Sequence, residues 1–182
     1  MSVKITVLGA GPGGLFAAVR AAQLKAEVTL VEADALGGTC LNRGCIPSKV
    51  MREAGQMITD CQRFARFGVN LPGAPRIDMR QLSARRREVI SAQATGIARI
   101  LEKNGVRLIT GRGVIERPQK LTVIEADGGS RTIAWDRLII AAGSAPRSLP
   151  GIPFDGERVI SSTEALSLET VPESLVIAGG GV

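Results

Sequence analysis

Cys40 and Cys45 stand five positions apart in Gly37-Gly38-Thr39-Cys40-Leu41-Asn42-Arg43-Gly44-Cys45-Ile46-Pro47-Ser48-Lys49, and Lys49 follows Cys45 by four. Two thiols this close can act as a dithiol/disulfide couple if the chain lets them meet. On a regular helix their Cα atoms would be about 8–9 Å apart, whereas a disulfide spans roughly 4.4–6.8 Å. A bridge therefore needs a distorted segment, and Gly44 and Pro47 permit one. If a helix begins near Cys45, Lys49 shares its face. A nearby cation and a helix N-terminus both favour a thiolate. Spacing alone leaves two readings open: a redox couple, or two buried free cysteines.

A second set of residues suits phosphates. Gly9, Gly11 and Gly14 have the G-x-G-x-x-G spacing, after an apolar, β-branched run and before an alanine-rich one. In a strand–turn–helix the first glycine makes the tight turn, the second lets a pyrophosphate approach the backbone, and the third lets helix and strand pack closely. The helix N-terminus then offers free N–H groups and a positive dipole end. Glu32 ends the next apolar run, near the roughly 20-residue offset at which a carboxylate meets ribose hydroxyls. NAD and FAD use the same loop, so the motif indicates a dinucleotide without choosing between them.

Other chemistries are excluded by composition. The chain of 182 residues contains no His, which removes imidazole as acid, base or ligand, and its three cysteines cannot form a four-cysteine zinc site. No metal site is expected. The net charge is +6, with much of the excess between Arg76 and Lys103, including Arg85, Arg86 and Arg87. With no Tyr, one Trp and four Phe to interleave with them, these residues read as a solvated helix face, not a nucleic-acid surface. No apolar stretch reaches the roughly 18 residues of a membrane span, and the start has no signal-peptide h-region. A cytoplasmic chain is expected. Cys61 falls in a helical pattern away from the pair and reads as an incidental thiol.

The positioning elements follow from apolar patterning. Strands are predicted over residues 3–8, 27–32, 106–109, 138–142 and 174–178. Helices are predicted over 15–25, 48–66 and 77–103, the last stopped by Asn104-Gly105. Residues 33–47 show no period. Residues 113–137 read as antiparallel strands around a turn at Asp127-Gly128-Gly129. The fold class is therefore α/β: a Rossmann-like FAD/NAD(P)-binding fold, with a parallel sheet, helices and an antiparallel β-hairpin or meander insertion.

Gly37 to Lys49 resembles the redox motif of the class I pyridine nucleotide–disulfide oxidoreductases, and Ile46-Pro47-Ser48-Lys49 looks most like the dihydrolipoamide dehydrogenases among them. Glutathione reductases usually differ where Ser48 stands, and mercuric reductases often carry Val where Ile46 stands. The resemblance implies FAD as cofactor, with Cys40 as the interchange thiol and Cys45 against the flavin as the charge-transfer thiolate. It puts Lys49 beside the flavin ring, Gly38 and Thr39 along the FAD pyrophosphate, and Gly113 at the adenine end through its backbone. Ala142-Gly143-Ser144 matches a segment, usually Thr-Gly-Ser, that closes over the cofactor; Ala142 loses a hydroxyl there.

The resemblance divides the chain into residues 1–150 as the first segment of an FAD-binding domain, 151–173 as a connector, and 174–182 as the start of a truncated NAD-binding domain. Leu175 to Gly181 looks like the first strand and turn of that second domain. The implied parent reaction is NAD-dependent oxidation of protein-bound dihydrolipoamide through a Cys40–Cys45 disulfide and FAD. The implied partners are a second identical subunit and the lipoyl domain of a 2-oxoacid dehydrogenase or glycine-cleavage complex. The His–Glu acid–base pair of the family is absent from this chain, and general acid–base help is typically worth about 10²–10⁴-fold. No useful dehydrogenase turnover is expected of these residues alone. The competing readings are a mercuric or other disulfide reductase, a stand-alone FAD-binding or electron-transfer module, and a non-functional piece whose apolar faces lack partners.

Overall fold

The computed structural model describes residues 2–180. Four parallel strands form the central sheet: β1 (Lys4–Leu8), β2 (Glu27–Glu32), β3 (Arg107–Thr110) and β7 (Arg137–Ile140), in the order β3-β2-β1-β7. Between β3 and β7 the chain makes an antiparallel meander of β4 (Arg112–Arg117), β5 (Lys120–Ile124) and β6 (Ser130–Ala134). Helix α1 (Pro12–Gln23) links β1 to β2. The long connection from β2 to β3 carries α2 (Gly38–Arg43), α3 (Cys45–Cys61) and α4 (Met79–Lys103). A one-turn helix, α5 (Ser162–Ala165), lies in the segment after β7.

The two-residue period of the strands sorts their side chains onto two faces. Val7, Val28 and Leu30 pack with Ala18 and Ala21 of α1 and Leu101 of α4. Leu8, Val31 and Ile109 face the other way, onto Leu121 and Val123 of the meander. The parallel sheet is thus covered on both sides, as parallel sheets require. Helix α4 starts at Asp78, whose carboxylate accepts the N–H groups of Arg80 and Gln81 at 2.9 and 3.1 Å. It ends at Asn104 and Gly105, with Gly105 in the left-handed region, where the sequence put its stop.

Three expectations are corrected. Helix α1 begins at Pro12, inside the glycine loop, not at Leu15. Proline suits a first helical turn because its fixed φ is helical and its missing N–H is not needed there. Helix α3 begins at Cys45, not Ser48, for a related reason: Pro47 falls in its first turn. Residues 174–178 form no strand; they pair with nothing among the described residues, and Val176 is 94% exposed. A strand is defined by its hydrogen-bonded neighbour, and an apolar run does not become one without it. Gly181 and Val182 of the same run lie outside the described residues.

Candidate functional site

The carboxyl ends of the parallel strands form the mouth of the sheet, where open α/β folds bind ligands. Backbone bonds hold these ends together: Gly9 N–H to Val31 O (2.8 Å), Ala141 N–H to Leu8 O (2.8 Å) and Gly111 N–H to Glu32 O (2.8 Å). Above them lies a cleft of about 740 Å³. Its wall includes Gly9, Gly11, Glu32, Gly38, Thr39, Cys40, Cys45, Gly113, Ala142, Gly143 and Ser144. Eleven of the thirteen residues singled out in the sequence therefore meet in one place. The other two, Gly14 and Lys49, lie off the wall.

Each glycine of the loop has its own steric reason. Gly9 has φ +97°, and a Cβ there would sit 2.2 Å from the Ala141 carbonyl oxygen. A Cβ at Gly14 would sit 1.8 Å from the Gly9 oxygen, so the start of α1 can lie against the loop only without a side chain. At Gly11 the nearest atom to a Cβ is 3.9 Å away, on Gly38. That glycine is bare toward the cleft, which leaves its backbone approachable. Helix α1 has no side chain capping its N-terminus. Its first-turn donors face a wall of glycines, and a diphosphate fits there.

Glu32, the expected ribose carboxylate, is also tied into the loop. Its carboxylate accepts the Ala10 N–H at 2.6 Å and the Asp34 N–H at 2.9 Å. It therefore fixes the loop it is also placed to extend. Gly113 is likewise tighter than its backbone role requires, because a Cβ there would meet Leu8 Cδ2 at 2.7 Å. Glu32→Ala is expected to lower both loop order and nucleotide affinity. The Ala10 donor, at a buried residue, loses its acceptor at about 1–3 kcal/mol, while the exposed Asp34 donor turns to water. Urea unfolding together with a nucleotide titration checks this, and an unchanged unfolding midpoint would contradict it.

The cysteines meet because the helix breaks between them. Cys40 lies in α2, Cys45 is the first residue of α3, and Gly44 separates the two helices. A Cβ on Gly44 would sit 2.9 Å from the Thr39 carbonyl oxygen, tighter than real contacts tolerate. Asn42 braces the turn by donating to the Leu36 and Gly38 carbonyls at 3.0 and 2.9 Å. The break places both cysteines on the wall of the same cleft, on either side of the turn between α2 and α3. Among the described residues Cys40, Cys45 and Cys61 are all free thiols, with Cys45 exposed and Cys40 half-buried.

The neighbouring Cys45 side chain is the largest influence on Cys40 and raises its pKa above the usual thiol value. Burial and the charge of Cys45 push the same way, and the Lys49 cation pulls against them. Cys45→Ala removes the largest of these causes, so the Cys40 pKa should fall. At a fixed mildly alkaline pH more Cys40 is then thiolate, and alkylation by iodoacetamide, followed by peptide mapping, should quicken. An unchanged pH profile would contradict the assignment.

Sequence reasoning missed Arg43 and Arg112, which also line the cleft. Arg43 is paired with Asp34 at 2.9 Å. It sits inside the cysteine motif, so its position was the available signal. Arg112 lies between Gly111 and Gly113, and no local pattern marked it.

The family model described as pyridine nucleotide-disulphide oxidoreductase matches residues 3–182. The chain belongs to that family. It is 40% identical over 181 residues to a dihydrolipoyl dehydrogenase of Bacillus subtilis, covering 99% of this chain and 39% of that protein. It is 39% identical over 185 residues to the mitochondrial dihydrolipoyl dehydrogenase of Rattus norvegicus, covering 100% and 36%. A leghemoglobin reductase of Vigna unguiculata is 37% identical over 179 residues, covering 97% and 34%. The crystal structure of LpdA from Mycobacterium tuberculosis superposes with a TM-score of 0.82 at 28% identity, covering 94% of this chain and 38% of that one. The chain thus spans under two-fifths of the length of these relatives and aligns with their N-terminal part. The parallel sheet with its antiparallel insertion is the Rossmann-type fold expected of a pyridine nucleotide–disulphide oxidoreductase. Among the described residues no helix is long and apolar enough to cross a membrane.

Proposed function

We propose that these residues form the FAD-binding part of a dihydrolipoyl dehydrogenase and carry its redox-active dithiol, Cys40 and Cys45. The observation that carries the reading is a shared wall: the uncapped N-terminus of α1, the Glu32 carboxylate and both cysteines line the same cleft. A phosphate site and a dithiol have no separate reason to be adjacent. A flavin dinucleotide gives them one.

In this reading Gly11, Gly13 and the start of α1 hold the diphosphate, and Glu32 holds the ribose. Gly38 and Thr39 close on the diphosphate from the side of α2, and Ala142-Gly143-Ser144 closes the far end. Bound FAD supplies the two-electron carrier between the dithiol and NAD. The chain's own chemistry is thiol–disulfide exchange. With the pair oxidised, one thiolate of a dihydrolipoyl group attacks Cys40, and Cys45 leaves as thiolate. The second dihydrolipoyl thiolate then attacks the mixed disulfide and releases Cys40. The lipoyl group is oxidised to its disulfide, the protein pair is reduced to the dithiol, and the protons are left for a base. The chain has no His, so no imidazole among these residues can serve as that base, and steady turnover by these residues alone is not expected.

Residues 1–150 would be the first part of the FAD domain, 151–173 a connector, and 174–182 the start of the NAD domain. A second identical subunit and a lipoyl domain would be the partners. The likeness to a leghemoglobin reductase carries one second reading, in which the same site serves a different electron acceptor. Adding FAD to the purified chain and desalting tests the proposal. Stoichiometric retained flavin, with absorbance that changes on dithiol reduction, is expected. A folded chain that retains none would overturn it.

A further inference from the structure

The mouth of the cleft has an order. Across the sheet it runs from the end of β7 (Ala142–Ser144), past β1 and the start of α1, to Glu32 on β2, and finally to Gly111–Gly113 beyond β3. If the diphosphate lies at α1 and the ribose at Glu32, the base on that ribose points away from α1. It then lies over Gly111–Gly113.

The backbone there is cleared on one side only. A Cβ on Gly111 would meet Val123 Cγ1 at 2.6 Å, and one on Gly113 would meet Leu8 Cδ2 at 2.7 Å. Both directions point into the packed layer between sheet and meander. Arg112, between them, alternates to the other side and lines the cleft. It is exposed and makes no ion pair or side-chain hydrogen bond among the described residues. The other lining cation, Arg43, is tied to Asp34. A free guanidinium is thus presented where a nucleotide base would arrive.

We propose that Arg112 stacks its guanidinium on the purine of the bound dinucleotide, so that this end of the cleft selects adenine nucleotides. The inference rests on the dinucleotide reading of the cleft. A guanidinium is planar, weakly hydrated and attracted to an aromatic face, whereas an ammonium lacks the plane. Glu32 beside it disfavours a 2′-phosphate, which would otherwise be the natural partner of such an arginine.

Calorimetric titration of the chain with ADP, UDP and adenosine 2′,5′-diphosphate tests this without any turnover. Arg112→Ala is expected to weaken ADP binding by about three- to tenfold, to change UDP binding much less, and not to be rescued by Arg112→Lys. Because Arg112 is exposed, circular dichroism of both variants should match the parent. Unchanged ADP affinity in Arg112→Ala would overturn the proposal. Equal losses for ADP and UDP, or rescue by lysine, would make Arg112 a plain phosphate cation and overturn it too. Preference of the parent for adenosine 2′,5′-diphosphate over ADP would do the same. A parent chain that binds neither ADP nor FAD would instead bring down the dinucleotide reading itself.

Discussion

Gly14→Ala is expected to abolish flavin retention and to unfold at markedly lower urea than the parent chain. The added methyl would arrive 1.8 Å from the Gly9 carbonyl oxygen and 3.2 Å from Ala141 Cβ. No described glycine has a closer approach. Overpacking a core costs about 1–3 kcal/mol when side chains can yield. Here the obstacle is backbone, and that backbone is the turn at the mouth of the cleft. The stability loss should therefore sit at or above the top of that range, and α1 should lose its position against the loop. Gly55→Ala is the matched control. Gly55 lies in α3 with nothing within 4 Å of its Cβ, so alanine there should stabilise by roughly 0.5–1 kcal/mol through helix propensity. Equal unfolding midpoints for the two variants would refute the steric account.

The second large effect concerns the cysteine pair. Under a glutathione disulfide buffer the chain should lose two of its three free thiols. Mass spectrometry of the peptides should show a single Cys40–Cys45 bridge, with the two electrons and two protons passing to glutathione. Cys61 should stay reduced. Cys40→Ser and Cys45→Ser should each abolish the intramolecular bridge completely. Gly44→Val should suppress it strongly, because a side chain at Gly44 must displace the Thr39 carbonyl that its Cβ would meet at 2.9 Å. A bridge to Cys61 instead, or none in the parent chain, would remove the dithiol from the proposed function.

The glycine loop, Glu32 and the cysteine pair were legible because their signals are local. Phosphate binding at a helix N-terminus and thiol exchange both impose fixed short spacings on the chain, and spacing survives in one dimension. The strands of the sheet were legible for the same kind of reason, since a doubly covered parallel strand must be a short, nearly unbroken apolar run. The meander announced itself through Asp127-Gly128-Gly129, whose turn chemistry is likewise local.

Other features depend on what lies across space. The glycine loop hid the start of α1, which begins at Pro12 and not at Leu15: proline suits the first helical turn, and Gly14 packs on Gly9 and Ala141 across the turn. The apolar run at 174–178 reads as a strand and forms none, because pairing needs a partner and not only a pattern. The structural role of Glu32, as acceptor for Ala10 and Asp34, depends on how the loop folds over β2. Arg112 carries no sequence signal, and the order of strands alone brings it beside Glu32. By itself the sequence determined which chemical groups are present and which short-range geometries they can take. The tertiary structure decided which of them share a cleft, because strand order and the two-sided covering of the sheet set distances that no local spacing encodes.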